Sequence, residues 1–351
     1  IVPGDIQTIS QPIWSENMNP YSQSVSSGIG FFTSSTQLSQ SGNYYVNVYH
    51  RDPATSVNAA VQFAIAYGNA NGSGSLAYNT AVNGYSPTST IFGQWQDLVI
   101  GDENTNFTFG AITSSEFFAL TFERARYKDA LFLGSLSLTL SASGGSVTLT
   151  DNSAYVTAVQ FTEAGRVFQL ITGSSGTIAT ITSRNTADGF SANSGSYGWL
   201  LPDIGTILIN PKALGAPAIS GGIAFTFSGS ATSSAAPNIS PNQSLFVSLS
   251  SSLANLGASA DFSINAQETL TSDFIFVRPR STEYNYSENP SFISGSTGEV
   301  IYDQFINAPQ VYLTTIGMYN DSNELVAVAK MSRPLLKDFT KEALVRVKLD
   351  F

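Results

Sequence analysis

The chain of 351 residues contains no cysteine and a single histidine, His50. Without cysteine there is no disulfide, no thiolate nucleophile and no Cys-ligated metal, so stability must be indifferent to redox state. Any Ser-His-Asp arrangement would have to use His50, but no G-x-S-x-G elbow accompanies it. Its surroundings, a strand end followed by Arg51-Asp52-Pro53, read instead as a turn across which the imidazole hydrogen-bonds. Charge is scarce as well. Only 11% of residues are Asp, Glu, Lys or Arg, and the formal net charge is −10. A nucleic-acid binder needs clustered Lys and Arg to neutralise phosphates, so that class is excluded. Six of the 15 basic residues do lie between Lys330 and Lys348. They alternate with acids and apolar residues, which reads as a solvated or salt-bridging face. No run approaches the roughly 20 apolar residues of a membrane span, and no internal repeat is visible.

What the chain has in quantity is Ser, Gly, Thr and Asn, with 15 Tyr and 23 Phe. Such a surface is neutral and hydrogen-bonding, with aromatic rings supplying buried or contact area. The chain opens on Ile1 and not on Met, so further residues before it are expected. Residues 1–40 are polar, carry Pro3, Pro12 and Pro20 and a Ser-rich run, and predict an extended N-terminal arm. Residues 41–212 predict a β domain. Tyr44–Tyr49 and the alternating Val61, Phe63, Ile65 and Tyr67 form its first strands. Ile91–Ile100 predicts a short helix or a strand. Phe117–Phe122, Leu131–Leu140, Ser146–Thr150, Val156–Phe161, Gly165–Ile171 and Thr177–Thr182 continue at a spacing typical of sandwiches and barrels. Gly198–Asn210 predicts a hairpin turning on Pro202-Asp203-Ile204-Gly205. Residues 213–272 are rich in Ser, Ala and Gly, with breaks near Pro237 and Pro241 and a possible short helix at Ser251–Gly257, and read as an insertion. Residues 273–351 form a C-terminal β unit: a strand at Phe274–Arg278, then Val311–Tyr319, a turn at Asn320–Asn323, Glu324–Met331 stopped by Pro334, and Ala343–Phe351. In that last strand Val345, Val347, Leu349 and Phe351 point one way, and Phe351 is expected to pin the C-terminus. The fold class is therefore mainly β, with antiparallel sandwich- or barrel-like domains, few short helices and the arm.

Three constellations invite a chemical reading. The glycines of Gly68–Ser75 lack the GK[ST] and helix of a phosphate cradle, and read as a loop. Asp102, Asn104 and Asn106 mimic the start of a calcium loop, but Phe107 stands where Gly is needed and Thr113 where Glu is needed. Glu283, Glu288, Glu299 and Asp303 lie close in sequence, as a glycosidase pair would, without a repeated solenoid pattern around them. No cofactor, metal, small-molecule substrate or catalytic residue is expected, and the chain reads as a non-enzyme. The cluster Glu123 to Asp129, with Arg124, Arg126 and Lys128, reads as either an internal salt-bridge network or an intersubunit electrostatic contact, the latter preferred. "STEYNYSENPSF", with Tyr284 and Tyr286, reads as an exposed edge or interface segment.

The run "TTIGMYNDSNELVAVAKMSRPL…FTKEALVRVKLDF" resembles the C-terminal segment of a family of virion structural proteins from contractile-tailed, T-even-type marine phages, chiefly cyanophages. "YYVNVYHRDPAT…VQFAIAYGNANGSGS" from Tyr44, "FERARYKD" from Phe122, "YG-x-LLPD-x-G-x-ILINP" from Tyr197 and "FVRPRSTEYNYSENPSF" from Phe276 resemble the same family, in the same order. The resemblance skips residues 213–272. It implies a place in the particle; within it the chain is expected to be a tail, baseplate or neck component, assembled in the bacterial host cytoplasm, with copies of itself and other virion proteins as partners. No nucleic acid, membrane or small molecule is implied. Arg124, Arg126, Lys128, Tyr284, Tyr286, Tyr319 and Phe351 are the interface candidates. A receptor-binding or adhesin module of a tail fibre and a capsid decoration protein stay open as alternatives.

Overall fold

Strands whose residues are apolar at consecutive positions, such as Phe117-Phe-Ala-Leu-Thr-Phe122, bury both faces, because neighbouring side chains leave a strand on opposite sides. The computed structural model describes residues 2–13, 32–33, 45–49, 53–73, 87–110, 112–179, 197–217, 221–226, 241–255 and 262–350. These divide between two compact units: a body, Ile9–Glu268, and a C-terminal unit made of Ile1–Thr8 and Thr269–Phe351. The molecule is mainly β, with antiparallel sheets and, among the described residues, four short helices.

In chain order the strands are β1 (Val2–Pro12), β2 (Phe32–Thr33), β3 (Tyr45–Tyr49), β4 (Val61–Asn69), β5 (Phe107–Phe109), β6 (Ile112–Ser114), β7 (Glu116–Phe122), β8 (Ala130–Leu131), β9 (Ser137–Ala142), β10 (Gly145–Asp151), β11 (Gln160–Thr162), β12 (Gly165–Ser174), β13 (Thr177–Ile178), β14 (Gly198–Leu201), β15 (Thr206–Ile209), β16 (Phe262–Ser263), β17 (Asn265–Val277), β18 (Gln310–Tyr319), β19 (Leu325–Asp338) and β20 (Val345–Asp350). The helices are α1 (Pro87–Ile100), α2 (Pro211–Gly215), α3 (Pro241–Asn255) and α4 (Gln304–Asn307).

The body is built on one sheet in the order β16-β9-β10-β12-β14-β15-β7-β4-β3-β2, with β11 and β13 on β12, curled into a half-barrel. On one face Phe63, Ile65, Phe118, Leu120, Leu138, Leu170, Leu200 and Ile207 make the larger core. On the other, Phe117, Ala119, Trp199, Leu201 and Leu208 are covered by Phe92 and Val99 of α1 and by Phe107 and Phe109 of the β5–β6 hairpin. The rings interlock edge to face: Phe107 stands 5.0 Å from Phe117, and Phe109 stands 5.1 Å from Trp199. The Gly198–Asn210 hairpin forms in the expected register, Leu201 opposite Thr206. Gly198, at φ +145°, is required there because a Cβ would run into the Leu208 carbonyl oxygen.

Several expectations are corrected. The helix expected at Ser251–Gly257 instead spans Pro241–Asn255, and Pro241 opens it where a break was expected. A missing N–H costs nothing in the first helical turn. The stretch 213–272, read as an insertion or variable loop that could be partly packed, is packed in its described parts: Leu214, Phe225, Leu245, Leu249 and Phe262 are buried in the larger core. Val156–Phe161 forms no full strand; only Gln160–Thr162 pairs there. Within the expected arm, Val2–Pro12 is a strand in the sheet of β17 and β20, and most of residues 14–40 lie outside the described residues.

In the C-terminal unit β17 pairs with β20 from Ser272 opposite Asp350 to Val277 opposite Val345. The expected alternation holds, with Val347 buried between exposed Arg346 and Lys348. β18 and β19 form a separate two-stranded ribbon. Pro334 does not stop β19. Pairing lapses between Lys330, opposite Thr315, and Leu335, opposite Leu313, so Pro334 sits in a bulge where no ladder N–H is needed.

Candidate functional site

Among the described residues the ribbon leaves several large apolar side chains in water: Tyr312, Tyr319, Leu325, Val326 and Val328. Its turn is closed by Asn320, whose Oδ1 accepts from the backbone N–H groups of Ser322 (3.0 Å) and Glu324 (2.9 Å). Asn323 adopts the left-handed conformation, φ +60°, that Asn tolerates. Ile316 faces Ala329 and Met318 faces Ala327 across the strands, and all four are half-buried on one side of the ribbon. The other side carries Thr315, Gly317, Tyr319, Leu325, Val328 and Lys330, all exposed. Tyr319 and Leu325 lie over Gly317, within 3.0 and 3.3 Å of where a Cβ would stand. Any larger residue at 317 would lift them. A β-bulge between Met318 and Tyr319 leaves Val326 as the extra residue, 68% exposed. Among the described residues no other strand pairs with either edge of the ribbon.

A second feature precedes it. Lys337 is fully buried, and its ammonium donates to Ser281 O (3.0 Å), Asn285 Oδ1 (2.8 Å) and Asp338 O (3.0 Å). Three donors meet three acceptors, which is what allows a lysine inside without a carboxylate partner. The caged ammonium fastens residues 281–285 to β19. On that segment Tyr284 takes φ +53°, an uncommon backbone for a tyrosine, and Tyr284 and Tyr286 are each 67% exposed. Next to Lys337, the Thr340 hydroxyl above all, with the Thr340 N–H and Lys341, holds the Asp338 carboxyl down at about 2 against the opposing effect of desolvation.

The interface candidates read from sequence are divided between the two units. Arg124, Arg126 and Lys128 belong to the body and are engaged within the chain. Arg124 Nη1 donates to Tyr127 O at 2.6 Å and its guanidinium lies over the Tyr127 ring. Arg126 Nε donates to Val61 O at 3.2 Å, and Lys128 pairs with Glu268 at 3.0 Å. Of these three, Lys128 is in an ion pair, and Arg124 and Lys128 remain exposed. Tyr284, Tyr286 and Tyr319 belong to the C-terminal unit and are exposed. Phe351 and His50 lie outside the described residues. Sequence reasoning placed contacts on the Val311–Phe351 unit as a whole and did not single out Leu325, Val326, Val328 or Lys337 within it. The run Glu324–Met331 was read correctly as a strand, but nothing in its alternation distinguishes a strand with a neighbour from one without.

Two of the acidic residues singled out in the sequence make local hydrogen bonds. Asp102 Oδ1 accepts from Asn104 N (2.9 Å) and Oδ2 from Thr105 Oγ1 (2.6 Å), closing a turn after α1. Glu283 Oε2 accepts from Arg280 N at 2.9 Å. Among the described residues no group of three or more His, Asp or Glu is placed to hold a metal ion. The most perturbed buried group is Tyr67. Burial first, then the Glu116 carboxylate, push its phenol well up. Its hydroxyl donates to Glu116 Oε2 at 2.5 Å and accepts from Asn69 Nδ2 at 3.1 Å, a satisfied network at the end of β4. No family model, no curated protein and no solved structure matches the chain.

Proposed function

We propose that the chain is a non-enzymatic structural subunit of a tailed bacteriophage virion, a tail, baseplate or neck component that acts by assembly. The observation that carries this reading is the exposed ribbon face. A two-stranded hairpin alone is marginal in water, yet this one presents Tyr319, Leu325, Val326 and Val328 to solvent. Contiguous exposed apolar surface of this kind marks an interaction site. The resemblance of the ordered sequence blocks to virion structural proteins supports the particle as its setting. The partners are then copies of the chain and other virion proteins, and the chain resides in the particle after assembly in the host cytoplasm.

The exposed Tyr284 and Tyr286 favour a second reading, a receptor-binding module, because rigid amphipathic tyrosines on a polar segment suit recognition of a foreign surface. Mass spectrometry of purified particles, with gold-labelled antibody to the chain, tests both. The assembly reading expects stoichiometric chain in intact particles with the antibody epitope covered. Absence from particles overturns it, and label at fibre tips with blocked adsorption to cells transfers the case to the receptor-binding module.

A further inference from the structure

The strands β17 and β20 pair in unbroken register, so the pleat decides which of their side chains share a face. Ser272, Phe274 and Phe276 of β17 stand opposite Asp350, Lys348 and Arg346 of β20. Side chains two positions apart leave a strand on the same side, which adds Arg278 and Leu344, just past the last paired residues. Successive rungs of this face therefore each set an apolar side chain beside a cation: Phe274 with Lys348, Phe276 with Arg346, and Leu344 with Arg278. The face meets solvent. Phe276 is 50% exposed and Leu344 66%, and Arg278, Arg346 and Lys348 are exposed as well.

Charge is unevenly answered there. Lys348 pairs with Asp350 at 2.8 Å and Arg278 with Glu342 at 2.5 Å. The Glu342 carboxyl is drawn below its ordinary range by Arg278 first, then by Arg280 and Lys337, so one carboxylate serves several cations. Arg346, on the middle rung, lies over the Phe274 ring at 5.0 Å and has no ion-pair partner among the described residues. The exposed bases Arg278, Arg280, Arg346 and Lys348 thus share the carboxylates of Glu342 and Asp350, in a chain whose net charge is −10.

We propose that this face of β17 and β20 docks an acidic segment of another protein of the particle, one that carries aromatic or aliphatic side chains between its carboxylates. This rests on the assembly reading and gives one of its partners a chemistry. A carboxylate of the partner meets the Arg346 guanidinium, while its apolar side chains lie on Phe276 and Leu344 and keep water from the pair. A wholly apolar partner would bury Arg346 with no acid facing it, which is costly. A second copy laid face to face on the same strands would set cation against cation, which is penalised. Nucleic acid suits the face no better, because a phosphate recurs at every nucleotide and Arg346 alone among the rung cations has no carboxylate of its own.

Fluorescence anisotropy of a labelled peptide of Glu and Tyr, titrated with the full chain, tests this. A peptide of Lys and Tyr and a thymidine oligonucleotide are the controls. The Glu–Tyr peptide is expected to bind saturably and more weakly as salt rises, and the Lys–Tyr peptide not to bind. Arg346→Glu, with an unchanged melting curve, is expected to weaken binding roughly tenfold or more. Phe276→Ser leaves every charge in place and is the second test, expected to lower affinity with the salt dependence unchanged. No saturable binding of the Glu–Tyr peptide overturns the proposal. So does binding that both substitutions leave unchanged, tighter binding of the oligonucleotide, or a dimer of the chain that the same substitutions dissolve. Chain found in particles that fails to bind the peptide would remove this inference and leave the assembly reading. Peptide binding by a chain absent from particles would do the reverse.

Discussion

β7 in the body and β18 in the ribbon have similar apolar content and opposite fates. In Glu116-Phe-Phe-Ala-Leu-Thr-Phe122, Phe117, Phe118, Ala119 and Leu120 are all fully buried, since α1 and the β5–β6 hairpin cover one face and α3 and Phe225 close the other. In Val311-Tyr-Leu-Thr-Thr-Ile-Gly-Met-Tyr319 no residue is fully buried. Burial is therefore not a property of a strand's hydrophobicity; it depends on whether the chain supplies a second layer. The body supplies its own, and the ribbon has one face with none among the described residues.

The contrast is broken most directly by truncation. Phe117→Ala removes a ring packed against Phe92, Phe107 and Trp95, and is expected to destabilise the body by about 3–5 kcal/mol in urea unfolding. A loss under about 1 kcal/mol would show that the two-faced core is not what holds the sheet. Next in size is Lys337→Met, which leaves Ser281 O, Asn285 Oδ1 and Asp338 O without their donor. It is expected to cost about 1–3 kcal/mol and to raise hydrogen exchange in residues 281–286 while the amides of β7 stay protected.

Acid sharpens the comparison further. Burial raises the Asp203 carboxyl, but the side chain, backbone N–H and charge of Arg166 together overcome it, and the group lies below the usual carboxylate range. Its folded value being depressed, the stabilisation is present above the unfolded value of about 3.9 and is lost as pH falls through the folded one. Partial exposure limits it to under about 1 kcal/mol. Arg166→Ala is expected to erase this acid limb in the body, and an Asp203 titration by NMR that stays at the ordinary value in wild type would refute it. The smallest effect on folding belongs to the ribbon. Val328→Ser is expected to shift unfolding by no more than about 0.5 kcal/mol while measurably lowering incorporation into particles. A large loss of stability without a change in incorporation would mean that the face is internal packing after all.

Much of the body was legible. Strand positions at Val61, Phe117 and Gly165 and the hairpin turning on Pro202–Gly205 follow from β-branched and aromatic runs broken by turn residues. The segment around Trp95 read as a helix or a strand, and the structure makes it the helix α1, with Phe92, Gln96 and Val99 on its buried side. What misled was composition. Residues 213–272 look like loop because Ser, Ala and Gly dominate, yet Leu245 and Leu249, one helical turn apart on α3, are enough to seat them in the core. Pro334 looked like a strand end, because a sequence does not show where a ladder has already lapsed. Arg124, Arg126 and Lys128 stood out as a charge cluster, but Val61 and Glu268, the partners of Arg126 and Lys128, are remote in sequence.

By itself the sequence determined the absence of thiol chemistry, the β character and most turns, since these rest on residue identity and on contacts a few positions long. Only the tertiary structure decided which apolar strands acquired cover. Whether Val328 meets water and Leu120 does not is settled by elements such as α1 and α3, brought from far along the chain, and no local pattern encodes their arrival. The same holds for Lys337, an ordinary basic residue in the sequence that becomes a buried peg because Ser281 and Asn285, over fifty positions away, turn their oxygens toward it.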